Sequence, residues 1–160
     1  MTERTLIVLK PDAVKRGLVG KITSRFEDAG LKIVAVRLTM MDDALARRHY
    51  DDLEERIGAT AFAAVCQYMQ SGPVVAMALE GADGTVAVVR KLVGATFPSD
   101  AAPGTIRADL CHQGKRADGT AVQNLIHASG AVDEAQRELA LWFGSADLFD
   151  YPRADEAFVA

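Results

Sequence analysis

Val74-Val75-Ala76-Met77-Ala78-Leu79 is an unbroken apolar run, stopped on its N-terminal side by Ser71-Gly72-Pro73. It is far too short to cross a membrane. It also lacks the apolar–polar alternation of a strand with one wet face, so it predicts a central strand covered on one or both faces. Residues 4–9 end in Leu6-Ile7-Val8-Leu9 and read as a second buried strand, and residues 32–40, rich in β-branched side chains, as a third. Between them lie stripes at helical spacing. Leu18, Ile22, Phe26 and Ala29 precede a stop at Gly30; Asp42 or Asp43 caps residues 44–52; Phe62, Val65 and Met69 share a face, as do Val86, Val89 and Val93 before Gly94. Residues 96–107, with Pro98, Pro103 and Gly104, predict a long ordered loop, a kind of segment that usually carries function. A short strand at 124–127 and a last helix through Ala135, Leu139 and Trp142 complete the order. Strand, helix, strand, helices, strand, helix, strand, helix suits an α+β fold: a ferredoxin-like βαββαβ sandwich with an antiparallel sheet and added helices, as one domain over residues 1–160.

Bulk properties exclude several functions. The net charge of -4 argues against nonspecific nucleic-acid binding as the main role, though local Lys and Arg can still attract an anion. No membrane-spanning run and no basic-then-apolar leader is present, so a cytoplasmic location is expected. Cys66 and Cys111 stand far apart, in no metal or redox spacing, as expected of free thiols in a reducing compartment. There is no Gly-x-x-x-x-Gly-Lys-[Ser/Thr] loop and no carboxylate cluster at metal-ligand spacing.

The chemistry concentrates in Asn124-Leu125-Ile126-His127-Ala128-Ser129. If residues 122–127 are a strand, Asn124 and Ile126 share one face and Leu125 and His127 the other. A lone histidine in an apolar strand is more often a packed residue than a nucleophile. Here it keeps company with Lys10, Tyr50, Arg90, Thr96 and Arg107, groups that suit a polyphosphate. Neutral imidazole is a good nucleophile near pH 7, and a guanidinium fork holds two phosphate oxygens. His49 and His112 lie in no such motif and read as surface residues. Asp12 in Lys10-Pro11-Asp12 reads as an acceptor of turn hydrogen bonds.

Six segments together are specific. Leu9-Lys10-Pro11-Asp12, Arg16-Gly17-Leu18-Val19-Gly20, His49-Tyr50, Ser71-Gly72-Pro73-Val74-Val75-Ala76-Met77, Ala102-Pro103-Gly104-Thr105-Ile106-Arg107 and the His127 segment occur in one order across nearly the whole chain. In this the chain resembles the nucleoside diphosphate kinases. The resemblance implies transfer of the terminal phosphoryl group of a nucleoside triphosphate to a nucleoside diphosphate, by a ping-pong route through phosphohistidine. His127 would carry the group while Ser129 and Glu138 steady its ring. Lys10, Arg90, Thr96 and Arg107 would hold phosphates, Tyr50 would reach the transferred group, and Asn124 would bind a ribose hydroxyl. Nucleotide-bound Mg2+ and a homo-oligomer, commonly a hexamer and sometimes smaller, are also implied.

The chain departs from the family at several positions. Ala13 and Ala128 replace usual glycines and Gly130 a usual aspartate. The aromatic on which the base stacks aligns with Ala61, unless Phe62 beside it serves instead. Residues 113–123 read as a polar inserted loop. These changes spare the phosphoryl-transfer residues. They leave a second reading, a nucleotide-binding regulatory or scaffold protein that has lost turnover, supported only by Ala61, Ala128 and Gly130. A ferredoxin-like nucleic-acid binder is poorer still, lacking a basic and aromatic sheet face.

Overall fold

The computed structural model describes residues 2–111, 123–155 and 158. Four strands, β1 (Thr2–Leu9), β2 (Lys32–Met40), β3 (Pro73–Ala82) and β4 (Ile126–Ala128), form one sheet in the order β2-β3-β1-β4. Every pairing is antiparallel. The helices are α1 (Pro11–Lys15), α2 (Val19–Glu27), α3 (Asp43–His49), α4 (Leu53–Ile57), α5 (Ala59–Met69), α6 (Thr85–Val93), α7 (Ile106–Leu110) and α8 (Val132–Trp142). This is the expected ferredoxin-like α+β sandwich.

The apolar runs are continuous because both faces of the sheet are covered. Ile7, Leu9, Val75, Met77 and Leu79 pack with Phe26 of α2 and Val89 and Val93 of α6. Leu6, Val8, Val74, Ala76 and Ala78 point the other way, onto Phe62 and Met69 of α5 and Leu139 and Trp142 of α8. Period-two alternation thus assigns each strand residue to one of two cores. His127 pairs with Val8 and so faces α8; Ile126 and Ala128 pair with Leu9 and Ile7 and face the first core.

Three expected elements differ. Lys10-Pro11-Asp12 is the entry to α1, not only a turn: proline sits in the first helical turn, where its missing N–H costs nothing. The helix expected over 44–52 stops at His49, capped at its start by the Asp42 carboxylate accepting the Leu45 N–H at 2.7 Å, and α4 follows separately. The expected loop 96–107 carries a short 3-10 turn at Pro98–Asp100 and ends in α7, whose Thr105 hydroxyl accepts the Ala108 N–H. Residues 112–122, with His112 and most of the expected insertion, lie outside the described residues.

Candidate active site

The site is built on a bent backbone. Leu125 has φ +70°, and the Ile126 N–H donates to the Asn124 carbonyl at 2.8 Å, closing a γ-turn. A branched side chain at positive φ is strained and must be held by its surroundings. Asp12 Oδ2 accepts the Leu125 N–H at 3.2 Å, and the Lys10 N–H donates to the Leu125 carbonyl at 2.8 Å. The Tyr68 hydroxyl donates to the other Asp12 oxygen. The Leu125 side chain is fully buried in the same core as Ile126. The turn breaks the strand alternation expected over 122–127: Leu125 and His127 do not share a face, and β4 begins only at Ile126. Asp12 is therefore a clamp for this bend, a larger part than its expected turn bonds.

The bend gathers the cations. Lys10 Nζ donates to Asn124 Oδ1 at 2.7 Å, and Asn124 Nδ2 donates to the Thr96 carbonyl at 2.7 Å. Arg107 is buried and gives three N–H groups to backbone: Asn124 O at 3.2 Å, Gly94 O at 3.0 Å and Ile126 O at 2.5 Å. Two of its five N–H groups remain for a ligand. Arg90 donates to the Ala128 carbonyl at 3.2 Å. Burial lowers the Arg107 pKa to about 10, with Arg90 adding to the effect. Burial and the Arg107 charge lower Lys10 to about 7, against the pull of Asp12. A positive charge here is costly without an anion beside it.

His127 lies at the floor of a cleft of about 610 Å³, also lined by Lys10, Tyr50, Arg90, Thr96 and Arg107. Its Nε2 is 2.8 Å from Glu138 Oε1, while the Ser129 hydroxyl donates to Glu138 Oε2 at 2.6 Å. With Glu138 as carboxylate, Nε2 carries the proton and Nδ1 keeps its lone pair. Burial lowers the His127 pKa to about 3, reinforced by Lys10, Arg107 and Arg90, so the ring is neutral at physiological pH. Burial raises the Glu138 pKa, opposed by His49 and the Ser129 hydrogen bond.

Sequence pattern misses the second imidazole. His49 is not a surface residue: it is buried, its ring centroid 4.5 Å from that of His127 and 4.6 Å from that of Tyr50. Trp142 Nε1–H donates to its Nδ1 at 3.2 Å. The available signal is Trp142 itself, since a buried indole N–H needs an acceptor. Among the described residues, His49 Nε2 and Tyr50 Oη are buried without a hydrogen-bond partner. Arg137 and Glu134 also line the cleft and carry no sequence signal of their own.

A family model described as nucleoside diphosphate kinase matches residues 3–148. The chain belongs to the nucleoside diphosphate kinase family. It is thus an enzyme, a nucleotide-dependent phosphotransferase. A nucleoside diphosphate kinase of Pyrococcus horikoshii is 49% identical over 157 residues, covering 98% of this chain and 95% of the relative. A Borrelia burgdorferi nucleoside-diphosphate kinase structure, a transition-state mimic with bound vanadate and ADP, superposes with a TM-score of 0.94 at 38% identity, covering 99% of this chain and 96% of that one. A Halobacterium salinarum nucleoside diphosphate kinase in complex with CDP gives 0.88 at 42% identity, covering 100% and 99%.

The family departures have visible consequences. Ala13 and Ala128 are buried in the first core, so their methyl groups fill space between strand and helix. A Cβ at Gly130 would lie 2.8 Å from Glu134 Oε2, and that carboxylate accepts the Gly130 N–H at 3.0 Å. A carboxylate thus still occupies this edge of the cleft, supplied from the first turn of α8. Phe62 does not offer a stacking face: its ring is buried in the second core, under the Arg47 guanidinium at 5.5 Å, and does not line the cleft. Ala61, half-buried beside it, presents only a methyl group.

Proposed function

We propose that this kinase works by two half-reactions through His127, with the chain acting as a single domain over residues 1–160. Nδ1 attacks the terminal phosphorus of a nucleoside triphosphate; the bond to the bridging oxygen breaks and the diphosphate leaves. An incoming diphosphate then takes the group back, restoring the neutral ring. The observation that carries this reading is the engagement of Nε2 by Glu138, which leaves Nδ1 as the free nucleophile beside Lys10, Arg90 and Arg107. Phosphoryl transfer needs positioning and charge neutralisation more than covalent help. Lys10, Arg90, Arg107 and the Thr96 hydroxyl hold phosphate oxygens, and the unpartnered Tyr50 hydroxyl donates to the transferred group. Asn124, fixed by Lys10 and Thr96, binds a ribose hydroxyl. Ser129 and Glu138 orient the ring.

Mg2+ fits as part of the nucleotide. Among the described residues, the one His/Cys/Asp/Glu group at metal spacing is His49–His127–Glu138, whose members already engage one another. The ion, held by phosphates and water, supplies further charge neutralisation. Self-association is supported by Val36, Leu38 and Met40, exposed along edge strand β2; a hexamer or a smaller homo-oligomer would cover them, and light scattering measures which. No helix among the described residues is long and apolar enough to cross a membrane, and both cysteines are free, which supports a cytoplasmic enzyme. The deciding experiment for the mechanism mixes the protein with labelled ATP. Acid-labile phosphohistidine on His127, discharged by added diphosphate, is the expected result; label elsewhere, or none, overturns the reading.

A further inference from the structure

We propose that Trp142 and His49 form a positioning pair that holds the second imidazole neutral, so that the Glu138 carboxylate serves His127 alone. The proposal rests on the carrier role given to His127 above.

Three contacts set up a competition for one carboxylate. Glu138 Oε1 lies 2.8 Å from His127 Nε2 and 3.6 Å from His49 Nδ1. A proton on His49 Nδ1 would point a donor at that oxygen, and with Nε2 also protonated the imidazolium would be a stronger partner than a neutral ring. His127 would lose the acceptor that keeps its proton on Nε2, and Nδ1 would no longer be held as the free nitrogen. The indole prevents this. Trp142 Nε1 can only donate, and its 3.2 Å contact therefore requires a lone pair on His49 Nδ1. The single remaining proton is then on His49 Nε2, the buried atom that has no partner among the described residues. Leaving that donor unsatisfied is a local cost that packing alone does not explain.

The charges around His49 act in both directions. His127 from β4, Lys10 from the end of β1 and Arg137 from α8 disfavour its protonation, while Glu138 from α8 favours it. Tyr50 stands beside it as a neutral ring. Burial is the largest influence, and the His49 pKa is lowered to about 3. The indole adds a geometric lock to this balance, because protonation at Nδ1 must first break its hydrogen bond.

The test combines three variants with one spectroscopic measurement. Trp142→Phe removes the donor and keeps most of the ring volume. The acid limb of its phosphorylation rate should rise by about one pH unit, the scale of one hydrogen bond lost from the neutral ring, while burial still holds His49 below its ordinary range. His49→Asn offers Trp142 an acceptor in the place of Nδ1 and cannot titrate, so in the Trp142→Phe/His49→Asn double variant the acid limb should return to its parental position. A uniform fall in rate with no pH shift in Trp142→Phe overturns the proposal, as does a shift that persists in the double variant. Long-range proton–nitrogen NMR on the ¹⁵N-histidine-labelled parent, with His49→Asn for assignment, reads the tautomer directly. The expected pattern between pH 6 and 8 is protonated Nε2 and unprotonated Nδ1 on His49. A protonated Nδ1 overturns the proposal even where Trp142→Phe fails to fold. This spectrum does not depend on where phosphate is carried, so a failure of His127 as carrier is distinguishable from a failure of the pair.

Discussion

The two ends of the cleft are made differently. At the β4 end these side chains are held by specific partners: Asn124 by Lys10 and Thr96, Arg107 by three carbonyls, His127 by Glu138, and Leu125 in a strained bend by Asp12. At the α4–α5 end Leu53 and Arg56 line the opening, and no residue of α4 is buried. The groups proposed for the chemistry are therefore pre-organised, whereas the α4–α5 end proposed for the nucleoside is open and, among the described residues, brings only Leu53 and Arg56 to the cleft. Preorganisation is worth most where charge develops in the transition state. A generic surface suffices where ligands differ only in their bases.

The first way to break this contrast is to remove the proposed nucleophile. His127→Ala should abolish phosphoenzyme formation and lower exchange by on the order of 10⁵-fold or more, with the thermal transition retained. Substantial exchange in that variant, followed by a coupled assay, would place the chemistry elsewhere. Phe62→Ala tests the other end. If Phe62 is core, as its burial indicates, the variant loses ~3–5 kcal/mol of folding stability in denaturant melts while its ADP affinity per folded molecule changes little. A large selective loss of ADP affinity would restore it as the base platform. Arg107→Ala should cost ~2–4 kcal/mol in kcat/KM, the scale for one charged donor to a transferring phosphoryl group. It should also lower stability, because three carbonyls lose their donor. Kinetics within a small factor of the parent would show that its backbone bonds are its whole role.

The pH dependence sharpens the contrast further. His49 and His127 are both held at about 3, below the ordinary histidine value of 6.5. Each binds fewer protons folded than unfolded. Their contribution is present above pH 6.5 and is lost as pH falls through the window from 6.5 toward 3. Melts from pH 7 to pH 5 should show stability falling, at a limiting slope of about 1.4 kcal/mol per pH unit for each imidazole. His49→Asn should shallow that slope; an identical slope would show that His49 does not titrate on unfolding. The smallest effect belongs to the open end. Ala61→Phe should tighten ADP by ~1–3 kcal/mol through stacking, read by calorimetry, with phosphohistidine formation unaltered.

How far the sequence reveals this site depends on how local each signal is. The two-sided burial of β1 and β3 was legible because apolar runs report it directly. Lys10, Arg107 and His127 were legible through motifs in a specific order, Arg90 only through what the resemblance implies, and the cleft brings all four together. The γ-turn at Leu125 was not. A branched residue at positive φ contradicts local preference and is held by partners far away in sequence, Asp12 accepting its N–H and Lys10 donating to its carbonyl. His49 was missed for a related reason. Its partners, Trp142 and Glu138, come from the far end of the chain, and no spacing announces a contact across such a separation. Phe62 misled because aromatic character suits a core as well as a base-binding surface.

The register of β4 also has a consequence for the order in which the molecule is made. Val8, in the first strand, pairs with His127, in the last, and Lys10 reaches Asn124 across a similar gap. Such pairings close very long loops, which makes them slow steps and late ones. A chain emerging from the ribosome can fold β1, β2 and β3 with their helices while the nucleophile is still unsynthesised. Catalytic competence should therefore appear as one late event when β4 docks beside β1, and fragments ending before residue 126 should be inert however well they fold.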